Sequence, residues 1–390
     1  MGETRLIRSD QEALEAADLF ARQIETESVD RDRFRRLPFH EMDLFSESGL
    51  LGITVPKSYG GAGVSTLTFV KAVALISSAD ASLGQIPQNH YANVEEIRLV
   101  GTEEQKTFFF GRILLGDRLG NAAVERSGKT ILENQTRLVP DGEGYLLSGE
   151  KFYCTGALFA NWVPVRTIDP DGKRVVAIVN RQSEGLTVID DWSGFGQRTT
   201  ASGTVVLRNV RVKNEQILRS FEAYAKPTTR GPFSQIIHVA IDVGIAQAAL
   251  SETARFLRPG SSPGEASKIE DPLTIYEFGE LQCRLHAAEA LMERAAEAID
   301  EANASPGHEL VSPSAVAVAE AKIASTEVAI SATNKLFEFI GPESLREKDG
   351  LDRHWRNARV HTLHDPVRWK YYAVGNYYLN GVDPPRHAWI

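Results

Sequence analysis

Two histidines and one aspartate near the end of the chain are of types that can carry acid–base or metal chemistry. In the stretch "RNARVHTLHDPVRWKYY" (356–372), His361 and His364 are three residues apart, and Asp365 follows directly. On a helix the two imidazoles share one face, and Pro366 predicts that this helix ends near Asp365. Histidine titrates near neutral pH, which favours an acid–base or hydrogen-bonding role in a cleft. Two alternatives stay open: cations at a helix C-terminus, and a metal site, for which no HExxH motif or third ligand is evident.

Four further segments carry polar groups that could serve a binding site. They lie in a break between helices, at a transition from helices to strands, at the end of a strand and in a glycine-rich stretch. In the last of these, glycines and hydroxyls near one arginine can hold a phosphate. Each residue alone can equally be a turn or core residue. The candidates are His90 in "PQNHYAN", Asn121 in "GNAAVERSG", Tyr153 and Thr155 in "KFYCTGALFANW", and Trp192, Arg198, Ser202 and Thr204 in "DDWSGFGQRTTASGTVVL".

The bulk composition limits the class of protein. The 390 residues are 42% hydrophobic and 24% charged, which is ordinary for a globular protein. A net charge of −9 argues against a nucleic-acid partner. We find no uninterrupted apolar run long enough to span a bilayer and no signal-peptide core. Two distant cysteines indicate neither a disulfide framework nor a zinc site. We therefore expect a cytoplasmic protein without nucleic-acid or membrane partners.

The apolar pattern changes twice along the chain and predicts three domains. Residues 1–117 have helical spacing, including a capping-box pattern at Thr102. Residues 118–228 contain short β-branched segments between turn signals, which predict a compact antiparallel sandwich or barrel. Residues 229–390 contain three long helices typical of a bundle, and the joint at 258–272 is expected to be mobile. The predicted strands are "YLLSGEKFYCTG", "RVVAIVN", "LTVIDD" and "TVVLRNVRV".

In order and wording, these segments resemble the acyl-CoA dehydrogenase superfamily along essentially the whole chain. "GLLGITVPKSYGGAG" is similar to the N-terminal signature of that family, and "YLLSGEKFYCTGALFANW" to its strand that ends in a flavin-contacting aromatic-x-Thr. "FGQRTTASGTVVLRNVRV" resembles the closing strand of its barrel. The resemblance implies an α+β multidomain fold with an N-terminal α-helical domain, a middle β-barrel and a C-terminal four-helix bundle. It also implies a homotetramer with flavin between domains and subunits.

Two departures from the dehydrogenase pattern bear on the activity. Dehydrogenases carry their glutamate base in a stretch like R-D-A-x-x-x-x-x-Y-E-G-T, where "RNARVHTLHDPV" places Asp365 instead, followed by Pro366. They also commonly have an arginine shortly before Phe-Gly that meets the FAD pyrophosphate. Here "TIYEFGE" has Ile275 and Tyr276 at those positions. The second difference favours FMN, with FAD as the alternative.

These departures match a branch of two-component flavin monooxygenases, exemplified by dibenzothiophene monooxygenase and including sulfur-acquisition oxidoreductases. The hallmark W-R-N-x-R-x-H-x-L-H-D-P-V of that branch fits 355–367 throughout. The resemblance implies a C4a-hydroperoxyflavin formed from O2 and reduced FMN, the latter supplied by a separate NAD(P)H-dependent flavin reductase. The substrate would be a small, organosulfur molecule. Two alternatives stay open: an acyl-CoA dehydrogenase with FAD and Asp365 or a displaced carboxylate as base, and a non-catalytic flavin-binding paralogue.

The same resemblance implies roles for the candidate residues. His364 and Asn121 would line the reactive face of the flavin, with Thr155 hydrogen-bonded near the ring. His361, orienting His364, and His90 are the further catalytic candidates, and no metal ligand is expected. The cofactor-binding candidates are Tyr153, Thr155, Trp192, Arg198, Ser202 and Thr204, the last three near the phosphate.

Overall fold

The computed structural model describes residues 4–126, 135–258 and 268–390. The expectation of a mobile joint at 258–272 therefore falls largely outside the described residues, as does the end of the segment 120–128. The first part of the chain is helical. Its helices are α1 (Asp10–Glu25), α2 (Ser28–Arg33), α3 (Phe39–Glu47), α4 (Thr66–Ala79), α5 (Ala81–Gln85), α6 (Gln88–Val100) and α7 (Glu103–Leu114).

Side-chain caps determine where several of these helices begin. Thr102 accepts a hydrogen bond from the backbone N–H of Gln105, whose side chain accepts one from the backbone N–H of Thr102, so the predicted capping box of α7 is confirmed. Ser9 caps α1, and the carboxylate of Asp80 caps α5. Each such cap stabilises a helix by about 1 kcal/mol.

The middle of the chain forms one seven-stranded sheet of order β5-β6-β2-β1-β3-β4-β7. All four predicted strands are present, as β2, β4, β5 and β6. The pairing is antiparallel except between β1 and β3, which pair in parallel at Arg137 and Ile168, so the sheet is mixed rather than antiparallel throughout. The strands are β1 (Arg137–Asp141), β2 (Gly144–Lys151), β3 (Trp162–Ile168), β4 (Arg174–Asn180), β5 (Leu186–Ile189), β6 (Thr204–Val212) and β7 (Ile217–Leu218).

The last part of the chain is a helical bundle built around α8. This helix packs against α4 and against the two long helices that follow it in the chain, so most of its side chains are buried and apolar. Among the described helices, α8 alone is long and apolar enough to cross a bilayer by length and composition; 94% of its most apolar window is buried inside the protein, as in the core helix of a globular protein. The helices are α8 (Arg230–Leu257), α9 (Pro272–Ala304), α10 (His308–Ile340), α11 (Asp352–His361) and α12 (Arg368–Asn380).

The buried apolar residues form two cores. One runs continuously through the N-terminal helices and the C-terminal bundle, and the other lies within the sheet. Helical first and last parts with a sheet between them confirm the predicted α+β acyl-CoA dehydrogenase fold. The predicted limits of the three domains remain predictions. The candidate site residues come from the loops after β2, the loops before β6 and the interior of the bundle.

Candidate active site

A chain of buried hydroxyls lies where the loop after β2 meets the loop before β6. Thr155 and Ser202 are 2.7 Å apart between hydroxyl oxygens, as are Ser202 and Thr200. Thr200 donates its hydroxyl hydrogen to the carbonyl of Gln197 at 3.0 Å. A hydroxyl has one hydrogen to give, so Ser202 must donate to Thr200 and Thr155 must donate to Ser202. The Thr155 oxygen is therefore left with lone pairs that can accept a hydrogen bond.

Backbone strain is concentrated around this hydroxyl chain. Of the five non-glycine residues with positive φ in the described part of the chain, Tyr153, Gln197 and Ala201 lie here. Such conformations cost about 1–3 kcal/mol each and cluster at functional sites. The Tyr153 ring is 57% exposed and meets the Trp192 ring edge-on, with centroids 6.3 Å apart. Exposed aromatic rings beside buried hydroxyls suit a flat heteroaromatic ligand with polar edges, as a flavin is.

Asn121 lies beside the same loop. Its side-chain amide donates to the carbonyl of Tyr153 at 3.5 Å, the long limit of a hydrogen bond. The preceding Gly120 allows this approach, since a Cβ there would lie 2.7 Å from the Cα of Ala157. The structure thus places Asn121 beside the loop that carries Tyr153 and Thr155, and their roles toward a flavin stay predictions.

The two predicted histidines form a cluster with a third. Helix α11 ends at His361, before Pro366, as expected. His361 is buried, with Nδ1 2.5 Å from Asp242 Oδ1 and Nε2 3.0 Å from Nδ1 of His238. The His238 ring lies against the His364 ring, with centroids 4.0 Å apart. The His364 side chain is 38% exposed, so it is the member of the cluster that faces open space.

Ion pairing sets the charges in this cluster. Burial raises the pKa of Asp242, but the nearby Lys322 and His361 lower it to about 2, so the carboxylate is ionised. Burial lowers the pKa of His361, although Asp242 acts in the opposite direction. Burial and the neighbouring His364 hold the pKa of His238 well below its usual value. Both buried histidines are therefore neutral near pH 7. In the described part of the chain, no three His, Cys, Asp or Glu side chains are grouped to hold a metal ion.

Asp365 does not offer a free carboxylate. It is buried, and its Oδ2 lies 3.0 Å from the ammonium of Lys370. Its Oδ1 lies 3.5 Å from His364 Nδ1, too far for a strong hydrogen bond. Burial raises the pKa of Asp365, but His364 and Lys370 lower it well below the usual range. A carboxylate held in this way is a poor base for removing a proton from carbon.

The structure corrects the expectation of a catalytic role for His90. This side chain is 1% exposed, and both of its ring nitrogens are used by backbone groups. The N–H of Leu119 donates to Nδ1 at 3.1 Å, and Nε2 therefore donates to the carbonyl of Leu51 at 3.0 Å. Burial lowers the pKa of His90 to about 4. The residue joins segments of the N-terminal part and presents no free nitrogen to a ligand.

The three predicted phosphate-binding side chains have other partners in the structure. Arg198 donates to the backbone carbonyl of Arg33 at 3.2 Å. Thr204 donates to the carboxylate of Asp191 at 2.7 Å, and a carboxylate neighbour disfavours an anion. Ser202 belongs to the hydroxyl chain. The phosphate site therefore stays a prediction.

Three members of the histidine cluster were missed from the sequence: His238, Asp242 and Lys322. A signal for the first two was present, since they stand four residues apart in the apolar stretch "SQIIHVAIDVGIAQAAL". Polar side chains at helical spacing in such a stretch must be paired when buried. Nothing in the local sequence identifies Lys322 as their partner, because it lies in another helix.

Comparison with known proteins gives matches along the whole chain. Residues 9–117 match the acyl-CoA dehydrogenase N-terminal domain, and residues 236–369 match the C-terminal domain. The chain is 33% identical to a dibenzothiophene monooxygenase of Mycolicibacterium goodii, with 94% of this chain and 93% of that protein covered. It is 29% identical to the probable FMNH2-dependent monooxygenase SfnC of Pseudomonas putida, covering 95% and 96%.

Two solved structures are similar over nearly their full length. FMN-bound TdsC, a dibenzothiophene monooxygenase from Paenibacillus sp. A11-2, superposes with a TM-score of 0.91 at 32% identity, covering 97% of this chain and 100% of that one. Methanesulfinate monooxygenase MsuC from Pseudomonas fluorescens gives a TM-score of 0.90 at 28% identity, covering 97% and 99%.

Proposed function

Because the chain belongs to the acyl-CoA dehydrogenase superfamily, in the branch of the dibenzothiophene monooxygenases, we propose that it is an oxidoreductase using reduced FMN and O2 to oxygenate a small molecule. One observation carries this proposal: the likeness to FMN-bound TdsC extends over 97% of the chain at 32% identity. A local motif match would not have this weight.

The residues of the site fit reduced FMN. When bound, the reduced flavin supplies the electrons that activate O2 for transfer of one oxygen atom. The free lone pairs of Thr155 suit a ring N–H, which a reduced flavin has. Tyr153 and Trp192 provide aromatic surface, and the amide of Asn121 lies beside them. We assign His364, the exposed histidine of the cluster, to the face where oxygen reacts.

The reduced cofactor has to come from elsewhere. The sequence has no GxGxxG motif between a strand and a helix for a nicotinamide cofactor, and SfnC is named as FMNH2-dependent. A separate NAD(P)H-dependent flavin reductase is therefore the proposed partner. The homotetramer remains a prediction from the family resemblance, and the cytoplasmic location remains a prediction from composition and cysteine content.

An organosulfur compound is the proposed substrate class. The dibenzothiophene monooxygenases and MsuC, described above, are named for dibenzothiophene and methanesulfinate, both of which are sulfur compounds. The competing dehydrogenase activity needs a free carboxylate base. Asp365 is instead buried against Lys370 at 3.0 Å, which argues against that activity at this position.

The test combines purified protein, photochemically reduced FMN and 18O2, with no reductase present. Methanesulfinate, dimethyl sulfone, dibenzothiophene and indole serve as probes, and mass spectrometry detects the products. We expect one 18O atom in the product of at least one sulfur compound, and none when protein is omitted. Return of all O2 as hydrogen peroxide, together with bleaching of bound FAD by butyryl-CoA, would indicate a dehydrogenase. Flavin binding with neither reaction would indicate a non-catalytic paralogue.

A further inference from the structure

A continuous row of polar side chains crosses the interior of the helical bundle. It runs from Lys322 on α10 to Asp242 on α8, then to His361 at the end of α11 and back to His238 on α8. The contacts are 2.6 Å from Lys322 Nζ to Asp242 Oδ2, 2.5 Å from Asp242 Oδ1 to His361 Nδ1, and 3.0 Å from His361 Nε2 to His238 Nδ1. All four side chains are at most 3% exposed.

The direction of every hydrogen bond in this row follows from the ionised carboxylate. Asp242 can only accept, so the hydrogen of neutral His361 is on Nδ1 and its Nε2 is an acceptor. The bond to His238 must then be donated by His238 Nδ1. Nε2 of His238 therefore carries no hydrogen and has a lone pair that can accept one. That atom is fully buried and has no hydrogen-bond partner among the described residues. A buried acceptor without a partner is rare in proteins and requires a physical explanation, of which a catalytic role is one.

The ring that carries the unpartnered nitrogen lies against the exposed member of the cluster. His238 packs ring against ring on His364, at 4.0 Å between centroids, and His364 is exposed. We propose that His238 Nε2 is the proton acceptor of the oxygenation site, with His361 and Asp242 as positioning residues that act through it and Lys322 holding the carboxylate. This inference rests on the proposed function.

The row can take up a proton and return it, so that its charge and hydrogen-bond directions are the same before and after each reaction cycle. Reduced FMN, when bound, would give two electrons and two protons to O2 in each cycle, and His238 Nε2 would hold one of those two protons in transit. The hydrogen on His238 Nδ1 would then move to His361 Nε2, which brings the positive charge 2.5 Å from Asp242. In the reverse movement this proton would join the second one on oxygen, which leaves as water after oxygen transfer, or as hydrogen peroxide without substrate.

The charges around the row make this storage temporary. Lys322, Lys370, His361 and His364 all disfavour a cation on His238, whereas on His361 the neighbouring Asp242 partly offsets the effect of burial. His238 therefore returns its proton in each cycle. The neutral form of His238 also predominates throughout the neutral range, so the acceptor is ready before the cofactor binds.

The first experiment measures the reoxidation of protein-bound reduced FMN by O2, with no substrate, as a function of pH and in D2O. General base catalysis typically contributes about 10²–10⁴-fold. We expect His238→Gln to slow reoxidation about 100-fold, to abolish the solvent isotope effect and to make the rate rise with pH as hydroxide replaces the lost base. Asp242→Asn keeps an acceptor oxygen and should cost roughly tenfold. The exposed His286, changed to Gln, is the matched control.

The second experiment does not need the cofactor. 15N NMR of histidine-labelled, flavin-free protein should show hydrogen on Nδ1 and a bare Nε2 for both His238 and His361, with assignments taken from His238→Gln and His361→Gln. An Nε2–H form of His238 would overturn the inference. So would a His238→Gln variant that binds reduced FMN and reoxidises it like the wild type, with the same isotope effect.

The two proposals can fail separately. If the wild type incorporates 18O but His238→Gln behaves like the wild type, the proposed role of His238 as proton acceptor is wrong and the proposed function stands. If the wild type incorporates no 18O into any probe, both the proposed function and the proton-acceptor role of His238 are refuted, even where NMR finds the expected tautomers. Should Asp242→Asn not fold, the double variant with Lys322→Met removes both charges together and provides the same readout.

Discussion

The buried ion pair of Lys322 and Asp242 allows a direct test of the charge state inside the bundle. Replacing Lys322 by methionine keeps most of the side-chain length and removes the ammonium 2.6 Å from Asp242 Oδ2. The carboxylate keeps its bonds to His361 and to the hydroxyl of Thr326. It loses the neighbouring full positive charge.

The expected cost is large because water cannot replace the ammonium. Both side chains are at most 1% exposed, and removing one partner of such a pair costs about 3–5 kcal/mol. Lowering the pKa of Asp242 from 3.8 to about 2 corresponds to roughly 2 kcal/mol of this interaction. Because the folded-state pKa lies below the unfolded value, this stabilisation is complete above pH 3.8 and is lost as the pH falls through about 2. At pH 7 the Lys322→Met variant should therefore show the whole loss.

Urea unfolding followed by circular dichroism measures the effect. Protein concentration must be constant across variants, since the stability of an oligomer depends on it. Lys71→Met is the control, because its pair with Glu293 at 2.8 Å is on the surface and should contribute at most about 1 kcal/mol. The double variant Lys322→Met with Asp242→Asn should be more stable than Lys322→Met alone. If Lys322→Met lies within 1 kcal/mol of the wild type, Asp242 is not ionised, and the hydrogen-bond directions inferred from it fall too.

Three further outcomes test other parts of the site. Thr155→Val should weaken binding of reduced FMN roughly fivefold, as one hydrogen bond of about 1 kcal/mol is lost; unchanged affinity in anaerobic fluorescence titration would exclude contact with the hydroxyl. Gly156→Ala should destabilise the protein by more than Gly172→Ala in thermal unfolding, because both have φ near +80° but only at Gly156 does a Cβ meet another group, the Ile86 carbonyl at 3.1 Å; equal losses would refute this. His90→Phe leaves two backbone groups unpaired and should cost about 2–4 kcal/mol at pH 7. Because the pKa of His90 is lowered to about 4, the wild type loses stability as the pH falls from 6.5 towards 4, and its advantage over this variant should shrink there. A constant difference in urea unfolding across that range would contradict it.

Much of the fold could be predicted because local patterns agree with it. The capping box of α7, the long helices of the bundle and four of the strands all follow local periodicity or turn chemistry. The three strands that were missed lack these signals: β1 contains Pro140, β3 contains Pro164 and the charged Arg166, and β7 has only two residues. The parallel pairing of β1 with β3 is a tertiary contact that no local rule indicates.

The candidate site was less predictable because its contacts join distant parts of the chain. His361 and His364 could be found as a pair on one helix end, whereas His238 meets them across 123 residues. The expected phosphate site stays a prediction, since in the structure Arg198 contacts the carbonyl of Arg33 and Thr204 contacts the carboxylate of Asp191. Spacing in sequence does not determine such directions.

The direction of the hydroxyl chain has a consequence for cofactor traffic. Thr155 gives its hydrogen to Ser202, so it can receive a hydrogen bond but has none to donate. A flavin ring nitrogen that carries hydrogen can therefore donate a hydrogen bond to the Thr155 oxygen. After the same nitrogen has lost its hydrogen, its lone pair is repelled by the lone pairs of that oxygen. We expect the protein to bind reduced FMN more tightly than oxidised FMN. The site would then release oxidised FMN, which the separate flavin reductase can reduce again.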